Sequence, residues 1–367
     1  MSKSKRNARG GGSITKRKDG RWAGRYTVIL PNGQHRVRSV YGKTQSEARE
    51  KLAQCIAQRD RGEITMGSDM TVERFYNIWM SEIACNYLRP TTLDLYKRTF
   101  QKYILPMLGK KKLKNLDVDD IQKCLNSIKS HSVYQAQIAK KALSSMLVRA
   151  KKRRYILTNP TRDVELPAIE NETPAMWSEE QLRRFLEEAK ATSPYYTAYA
   201  LIANYGLRRG EVLGLRWEDV DFVNKSIHIR QQVVSVNNQP QIGKPKTKKS
   251  IRELALNEWL FGLLEERFIP GMEGLIFHTK NNTPIAPRNF YRDFQKVAKR
   301  AGLPHIKIHA LRHMAACFMR DAGVDLKTCQ DILGHSTSFM TLDVYQHSDI
   351  SHKRDASNKI GGLLLAY

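Results

Sequence analysis

Prolines at 160, 167 and 174, spread over a polar stretch covering 157–173, set the first limit on how this chain of 367 residues can fold. Proline lacks a backbone N–H and has a fixed φ, so neither a helix interior nor a central strand runs through such a stretch. The segment reads as an extended linker, and the sequence differs in kind on its two sides. Upstream, 71–154 carries apolar residues at helical spacing, most clearly over 91–100 and 133–149, with Pro90 and Pro106 as expected helix boundaries. Downstream, helical patterns alternate with β-type runs over 226–234 and 251–256, which flank a lysine-rich turn at 243–250. Before Thr71, three short runs at 13–18, 22–30 and 35–41 are punctuated by Gly20, Pro31-Asn32-Gly33 and Gly42. Thr44 then stands three residues before Glu47, a capping-box spacing that opens a helix to about Arg61. The expected class is multidomain α+β. A small three-stranded sheet with one helix occupies 1–65, an all-α domain 66–168, and a mainly helical domain with a small antiparallel sheet 169–367.

Charge narrows the partner. The formal net charge is +26, and 41% hydrophobic residues exclude wholesale disorder. Residues 1–65 hold sixteen basic side chains against five acidic ones, and 66–168 hold nineteen against nine. A folded polyanion binder follows, with most of the excess in the first half and a basic, Gly-rich arm at 1–12 able to lie along phosphates. The five cysteines are scattered without a CxxC pair, so neither a zinc site nor a disulfide framework is expected, and a reducing cytoplasm fits. Apolar runs such as 361–367 are too short to span a bilayer, and no membrane role is expected.

Three segments of the last domain carry candidate chemistry: Tyr205-Gly206-Leu207-Arg208-Arg209-Gly210-Glu211, His309-Ala310-Leu311-Arg312-His313, and Leu333-Gly334-His335-Ser336, with Tyr345 ten residues beyond His335. Two guanidiniums suit the non-bridging oxygens of a phosphodiester, because bidentate charge-assisted bonds stabilise charge that builds in a pentavalent transition state. Arg208 and Arg312 are the candidates. His309 and Arg312 are spaced i,i+3 on an expected helix whose other side carries Leu311, Ala315 and Phe318, and Glu211 lies one turn from Arg208. A tyrosine hydroxyl, with a reference pKa near ~10, attacks phosphorus only where cations favour the phenolate. Each segment alone has an ordinary explanation: a helix start, a surface His-x-x-Arg, a helix stop with Gly334 past its end, a structural tyrosine. Arg209 and His313 neighbour these positions and are expected to point elsewhere on their helices, and His347 is expected to be secondary.

In order and wording the segments resemble the tyrosine recombinase (phage integrase) family, over the whole chain at domain level and most sharply over 199–347. The resemblance implies that Arg208, His309, Arg312 and His335 are catalytic, that Glu211 supports them, and that Tyr345 is the nucleophile. It further implies Lys246, in the Lys-Thr of the hairpin turn, as general acid to the leaving 5′-oxygen, although Lys244, Lys248 and Lys249 lie close by. Met314 departs from the family's usual threonine. The attack would preserve the cut bond's energy in a phosphotyrosine ester, so no metal, nucleotide or other cofactor is expected.

The N-terminal unit resembles the three-stranded arm-binding domains of integrases from temperate phages and conjugative transposons, on Gly20-Arg21-Trp22 and Gly42-Lys43-Thr44. It implies Arg21, Arg25, Arg36 and Arg38 as DNA contacts, with Trp22 or Tyr26 in the small core. The partners implied are double-stranded core-type and arm-type attachment sites, a homotetramer on DNA, and an excisionase and a DNA-bending host protein as accessories. Integration and excision of a mobile element such as a prophage is the expected purpose. The rivals are an Xer-like chromosome-dimer recombinase, which ordinarily lacks the first 65 residues, a catalytically silent DNA-binding regulator, and a type IB topoisomerase.

Overall fold

A computed structural model describes residues 12–29, 35–60, 69–169, 175–245 and 247–334, with three isolated positions beyond (354, 357 and 358). The arm at 1–11, the turn at 30–34, the junction at 61–68 and the end at 359–367 lie outside the described residues, as do Lys246, His335, Tyr345 and His347. The chain divides into two compact units, 1–170 and 171–367.

The first unit begins with the antiparallel sheet expected from alternation. Strands β1 (Ser13–Lys16), β2 (Trp22–Ile29) and β3 (His35–Gly42) pair in order, and helix α1 (Gln45–Asp60) covers one face. Tyr26, Val28 and Leu52 form the small core between sheet and helix. Residues opposite each other in an antiparallel ladder share a face. Register therefore splits the four arginines: Arg36 faces with Val28 and Arg38 with Tyr26, on the α1 side, whereas Arg25 pairs with Ser39 on the open side. Arg21 also lies on the open side, stacked with Arg17 on the ring of Tyr41. The four arginines expected to contact DNA are therefore divided between the two faces of the sheet.

The rest of the first unit is helical: α2 (Val72–Ile78), α3 (Pro90–Thr99), α4 (Leu105–Leu108), α5 (Val118–Lys129) and α6 (Val133–Lys152). Their core, centred on Trp79, Phe75, Phe100, Leu143 and Met146, is separate from the small core under the sheet. Pro90 opens α3 as expected. Pro106 does not end a helix. Residues Phe100–Ile104 widen into a π-helical turn, so that the chain continues into α4 with Pro106 near its start. A wider turn relieves the clash between the proline ring and the carbonyl four residues back.

The second unit holds α7 (Glu179–Thr192), α8 (Tyr196–Tyr205), α9 (Arg209–Leu213), strands β4 (Val220–Asp221), β5 (Ser226–Ile229), β6 (Gln232–Val236), β7 (Gln239–Gly243) and β8 (Arg252–Ala255), then α10 (Glu258–Glu265), α11 (Pro287–Arg300), α12 (Ala310–Asp321) and α13 (Leu326–Leu333). Strands β4, β5 and β8 make one sheet, and β6 and β7 a separate hairpin. The run at 226–234 is thus two strands in different sheets, broken at Arg230-Gln231, rather than one. Helix α8 is apolar nearly all round and sits at the centre, packed by α7, α9, α10 and α12. Among the described residues no helix is long and apolar enough to cross a membrane.

Helix α8 stops at Gly206, whose φ is +61°. A Cβ there would lie 2.4 Å from Leu333 Cδ2 and 3.2 Å from Arg312 Cγ, so both conformation and space require glycine. Gly206→Ala is expected to lower stability by about 2–4 kcal/mol, from left-handed strain and overpacking together. Gly262, inside α10 with open space at its Cβ, makes the control. Gly262→Ala should raise stability by about 0.5–1 kcal/mol. Urea unfolding of the full chain measures both, and equal effects of the two changes would refute the packing argument.

Candidate active site

Because α8 ends abruptly, the backbone reverses over Gly206-Leu207 and starts α9 with Arg208 as its N-cap. Glu211, buried in the first turn of α9, accepts from the Arg208 backbone N–H (3.0 Å, Oε2) and from Arg208 Nη1 (2.6 Å, Oε1). The side chain of Arg208 keeps 22% of its surface open, against 2% for Glu211. Arg208 Nη1 also reaches Ser250 Oγ at 3.4 Å, and its Nη2 donates to Gly334 O at 3.2 Å.

A second arginine completes the pairing of Glu211. Arg252, on β8, donates Nη2 to Glu211 Oε2 at 3.2 Å, Nη1 to Ser250 O at 3.0 Å and Nε to Ile332 O at 2.6 Å. Desolvation weighs against the Glu211 carboxylate, but Arg252 and Arg208 outweigh it and hold its pKa below the ordinary glutamate value. Motif order did not point to Arg252. A signal existed: Arg252, Leu254 and Leu256 alternate along one strand, and an arginine at the end of an apolar face asks for a buried partner.

Arg312, in the first turn of α12, is buried; its Nη1 donates to Gly206 O (2.6 Å) and its Nη2 to Leu333 O (2.7 Å). Desolvation, then repulsion from Arg208, lowers its pKa to about 9, which leaves it cationic at neutral pH. His309, the residue before α12, lines a cavity of about 310 Å³ with Arg209, Tyr291, Lys307, Ile202, Leu207 and Ile308. His309 and Arg312 thus face different surroundings, the one a cavity wall and the other the interior. Arg209 was expected to point elsewhere; it shares this cavity with His309. The His313 ring meets that of His309 edge-on at 5.2 Å.

The residues that follow the expected general acid in sequence are anchored. Thr247 and Ser250 join through their hydroxyls at 2.9 Å, and the Ser250 N–H donates to Thr247 O. Ser250, fully buried, touches both Arg208 and Arg252, so the turn that holds Lys246 in sequence is tied to the arginine cluster.

The phage integrase family model matches residues 176–352, and the phage integrase N-terminal SAM-like domain matches 71–129; together they cover more than half the chain. The chain is 27% identical to a XerC-like tyrosine recombinase of Caldanaerobacter subterraneus, over 95% of its own length and 98% of the relative's. It is 26% identical to the transposase from transposon Tn916 of Enterococcus faecalis, over 82% and 80%. Among solved structures, the integrase of transposon Tn1549, residues 82–397 in complex with circular-intermediate DNA, superposes with a TM-score of 0.66 at 21% identity, over 79% of this chain and 99% of that one. The XerC-like relative aligns with nearly the whole chain, so possession of the first 65 residues does not by itself argue against an Xer-like role.

His309 is open to solvent at one side, yet desolvation by the surrounding protein, then repulsion from His313, Arg312, Arg208 and Arg209, pushes its pKa down to about 4. Above pH 6.5 neither folded nor unfolded chain holds this proton. Between 6.5 and about 4 the unfolded chain binds it and the folded chain does not, so stability is lost as the pH is lowered across that window. NMR titration of the free protein, with His309→Gln to assign the signal, should find the ring neutral throughout pH 7.5–5.5. A bound duplex should raise its pKa, because a phosphate opposes the neighbouring cations. A midpoint at or above 6.5 in the free protein would show that those cations do not act on the ring.

Proposed function

The chain belongs to the phage integrase family of tyrosine recombinases, enzymes that cleave and rejoin DNA, and from that premise we propose the following division of labour. Tyr345 is the nucleophile. Its oxygen bonds to the scissile phosphorus, the bond to the 5′-oxygen breaks, and a 3′-phosphotyrosyl ester conserves the energy for rejoining. The observation that carries this reading is the convergence of Arg208, held by Glu211, and Arg312, far apart in sequence, on the last carbonyls of α13, with His335 the next residue in sequence.

Arg208 and Arg312 stabilise charge on the non-bridging oxygens. A guanidinium has five N–H groups, and the bonds described use three of Arg208's and two of Arg312's, so both keep donors for a phosphate. Of the two, Arg208 is the more open. His309, neutral in the free protein, can take up a proton once a phosphate offsets the local positive charge. His335 assists at the phosphate, and Lys246 protonates the departing 5′-oxygen.

The domains act as an arm-type DNA-binding module at 1–65, with Arg21 and Arg25 on its open face and Arg36 and Arg38 at its α1 side, a core-site module at 66–168, and a catalytic module at 169–367. Four copies exchange strands on paired attachment sites in the bacterial cytoplasm, with an excisionase and a DNA-bending host protein setting direction. The purpose is integration and excision of a mobile element, which the likeness to the Tn916 transposase supports. The Xer-like reading rests on the full-length alignment with the XerC-like relative. A chromosomal locus without element genes around it would favour that second reading.

On a nicked duplex spanning the junction of the circularised element, wild type should accumulate a covalent protein–DNA adduct. Tyr345→Phe should bind this duplex equally and form none; an adduct formed by that variant would move the nucleophile to another residue.

Roles at the leaving group separate chemically. A thiolate, with a reference pKa near ~8.5, leaves without a proton, whereas an alkoxide needs one. General-acid catalysis contributes roughly 10²–10⁴-fold, so sulfur at the bridging 5′ position should restore most of the rate lost in Lys246→Ala. Arg208→Ala should gain nothing from it, since its missing bonds are to non-bridging oxygens. Rescue of Lys244→Ala, Lys248→Ala or Lys249→Ala in place of Lys246→Ala would transfer the acid to that lysine.

A further inference from the structure

The last three carbonyls described at the end of α13 each accept from a different arginine: Ile332 O from Arg252 Nε at 2.6 Å, Leu333 O from Arg312 Nη2 at 2.7 Å and Gly334 O from Arg208 Nη2 at 3.2 Å. These are orphan acceptors at the negative end of a helix dipole, where cations are stabilised. Two of the donors are proposed phosphate ligands. The third, Arg252, points its whole fork into protein and keeps only 7% of its side-chain surface exposed. Its three bonds go to three separate pieces of the site: Glu211 of α9, Ser250 of the lysine-bearing turn, and Ile332 of α13.

Resting on the recombinase reading above, we propose that Arg252 is a positioning residue for strand cleavage, holding Glu211 and thereby Arg208 in register with the end of α13 that leads into His335. Its contacts match that task better than that of a simple strut. The two oxygens of Glu211 bind different guanidiniums: Oε1 takes Arg208 and Oε2 takes Arg252, alongside the Arg208 backbone N–H. Without Arg252, Oε2 keeps only that backbone N–H, the carboxylate is held from the Arg208 side alone, and the arginine nearest solvent loses part of its fixed aim. Gly334 adds a steric gauge, since a Cβ there would lie 2.9 Å from Arg252 Nη1. The α13 terminus therefore rests directly on this guanidinium.

Arg252→Lys is the sharpest probe. It keeps the cation and the strand, but one ammonium cannot reproduce a planar fork aimed at three acceptors. With the full chain and the nicked duplex, single-turnover adduct formation should fall by about 10²-fold, as for other small misplacements of reacting groups. Duplex affinity should stay near wild type, and the melting temperature should remain above that of the assay. Because Arg252 acts through Glu211, the double variant with Glu211→Gln should be about as slow as the slower single variant, not slower by the product. Millimolar methylguanidinium should partly restore Arg252→Ala, and methylammonium should not. Wild-type cleavage by Arg252→Lys, multiplicative losses in the double variant, or absence of guanidinium rescue would each overturn the inference. Absence of any adduct with wild type itself would instead overturn the recombinase reading beneath it.

Discussion

The buried carboxylate of Glu211 is the point on which the site's geometry turns. It sits between two guanidiniums in nearly complete isolation from water, where an unpaired charge is untenable. Two unit charges about 4 Å apart interact by about 4 kcal/mol at an effective dielectric near 20, and the attraction of one carboxylate to two arginines offsets the cost of taking it out of water. Removing either partner from such a buried pair typically costs about 3–5 kcal/mol, which is enough to make the arrangement a single state. Arg208, Arg252 and their carbonyl acceptors are consequently positioned before any phosphate arrives, and a donor positioned in advance needs no reorganisation at the moment of reaction.

That rigidity comes from the centre of the unit outward. Helix α8 is apolar on nearly every face and thus immovable within its packing; its abrupt stop at Gly206 places Arg208 a fixed two residues later. The same glycine admits Leu333 and Arg312 against its missing side chain, so α12 and α13 approach the turn as closely as backbone allows. Gly206 O then accepts from Arg312. One residue without a Cβ thereby joins the three segments in which motif spacing had placed the chemistry.

Much of this was legible in the sequence, for identifiable reasons. The N-terminal sheet followed from period-2 alternation with turn residues between runs, and its three strands fall within a few residues of their expected bounds. Pro106 misled because a π-helical turn absorbs a proline that an α-helix cannot. Strand β7, between the run ending at 234 and the lysine turn at 243–250, was not anticipated because its hairpin lacks glycine: Asn237 and Asn238 both take left-handed φ, 51° and 62°, a conformation asparagine tolerates at modest cost. Arg252 was passed over, and Arg209 expected to point elsewhere, because motifs record identity and order, whereas a residue's direction depends on register and on which helix face packs. Arg36 and Arg38 are the same lesson in reverse. Their charge is plain in the sequence, but only pairing with Val28 and Tyr26 reveals the face they share.

Electrostatic balance explains why such a site belongs on a polyanion. Near Glu211 stand Arg208, Arg252 and Arg312, and the cavity beside them adds Arg209, Lys307 and His309 with no acidic residue in its lining. One carboxylate cannot neutralise three guanidiniums, and the surplus adds to desolvation, the larger cause, in lowering the proton affinity of both His309 and Arg312. The folded chain therefore carries repulsion that the free state does not relieve. On the proposed reading, a phosphodiester would bring negative charge to that surplus and accept hydrogen bonds from donors already aimed. Part of the repulsion would be relieved on binding the ground state. A pentavalent transition state, which concentrates more negative charge on the same oxygens, would relieve more of it. Interactions of that kind, stronger in the transition state than in the bound substrate, accelerate the chemical step itself as well as tightening association.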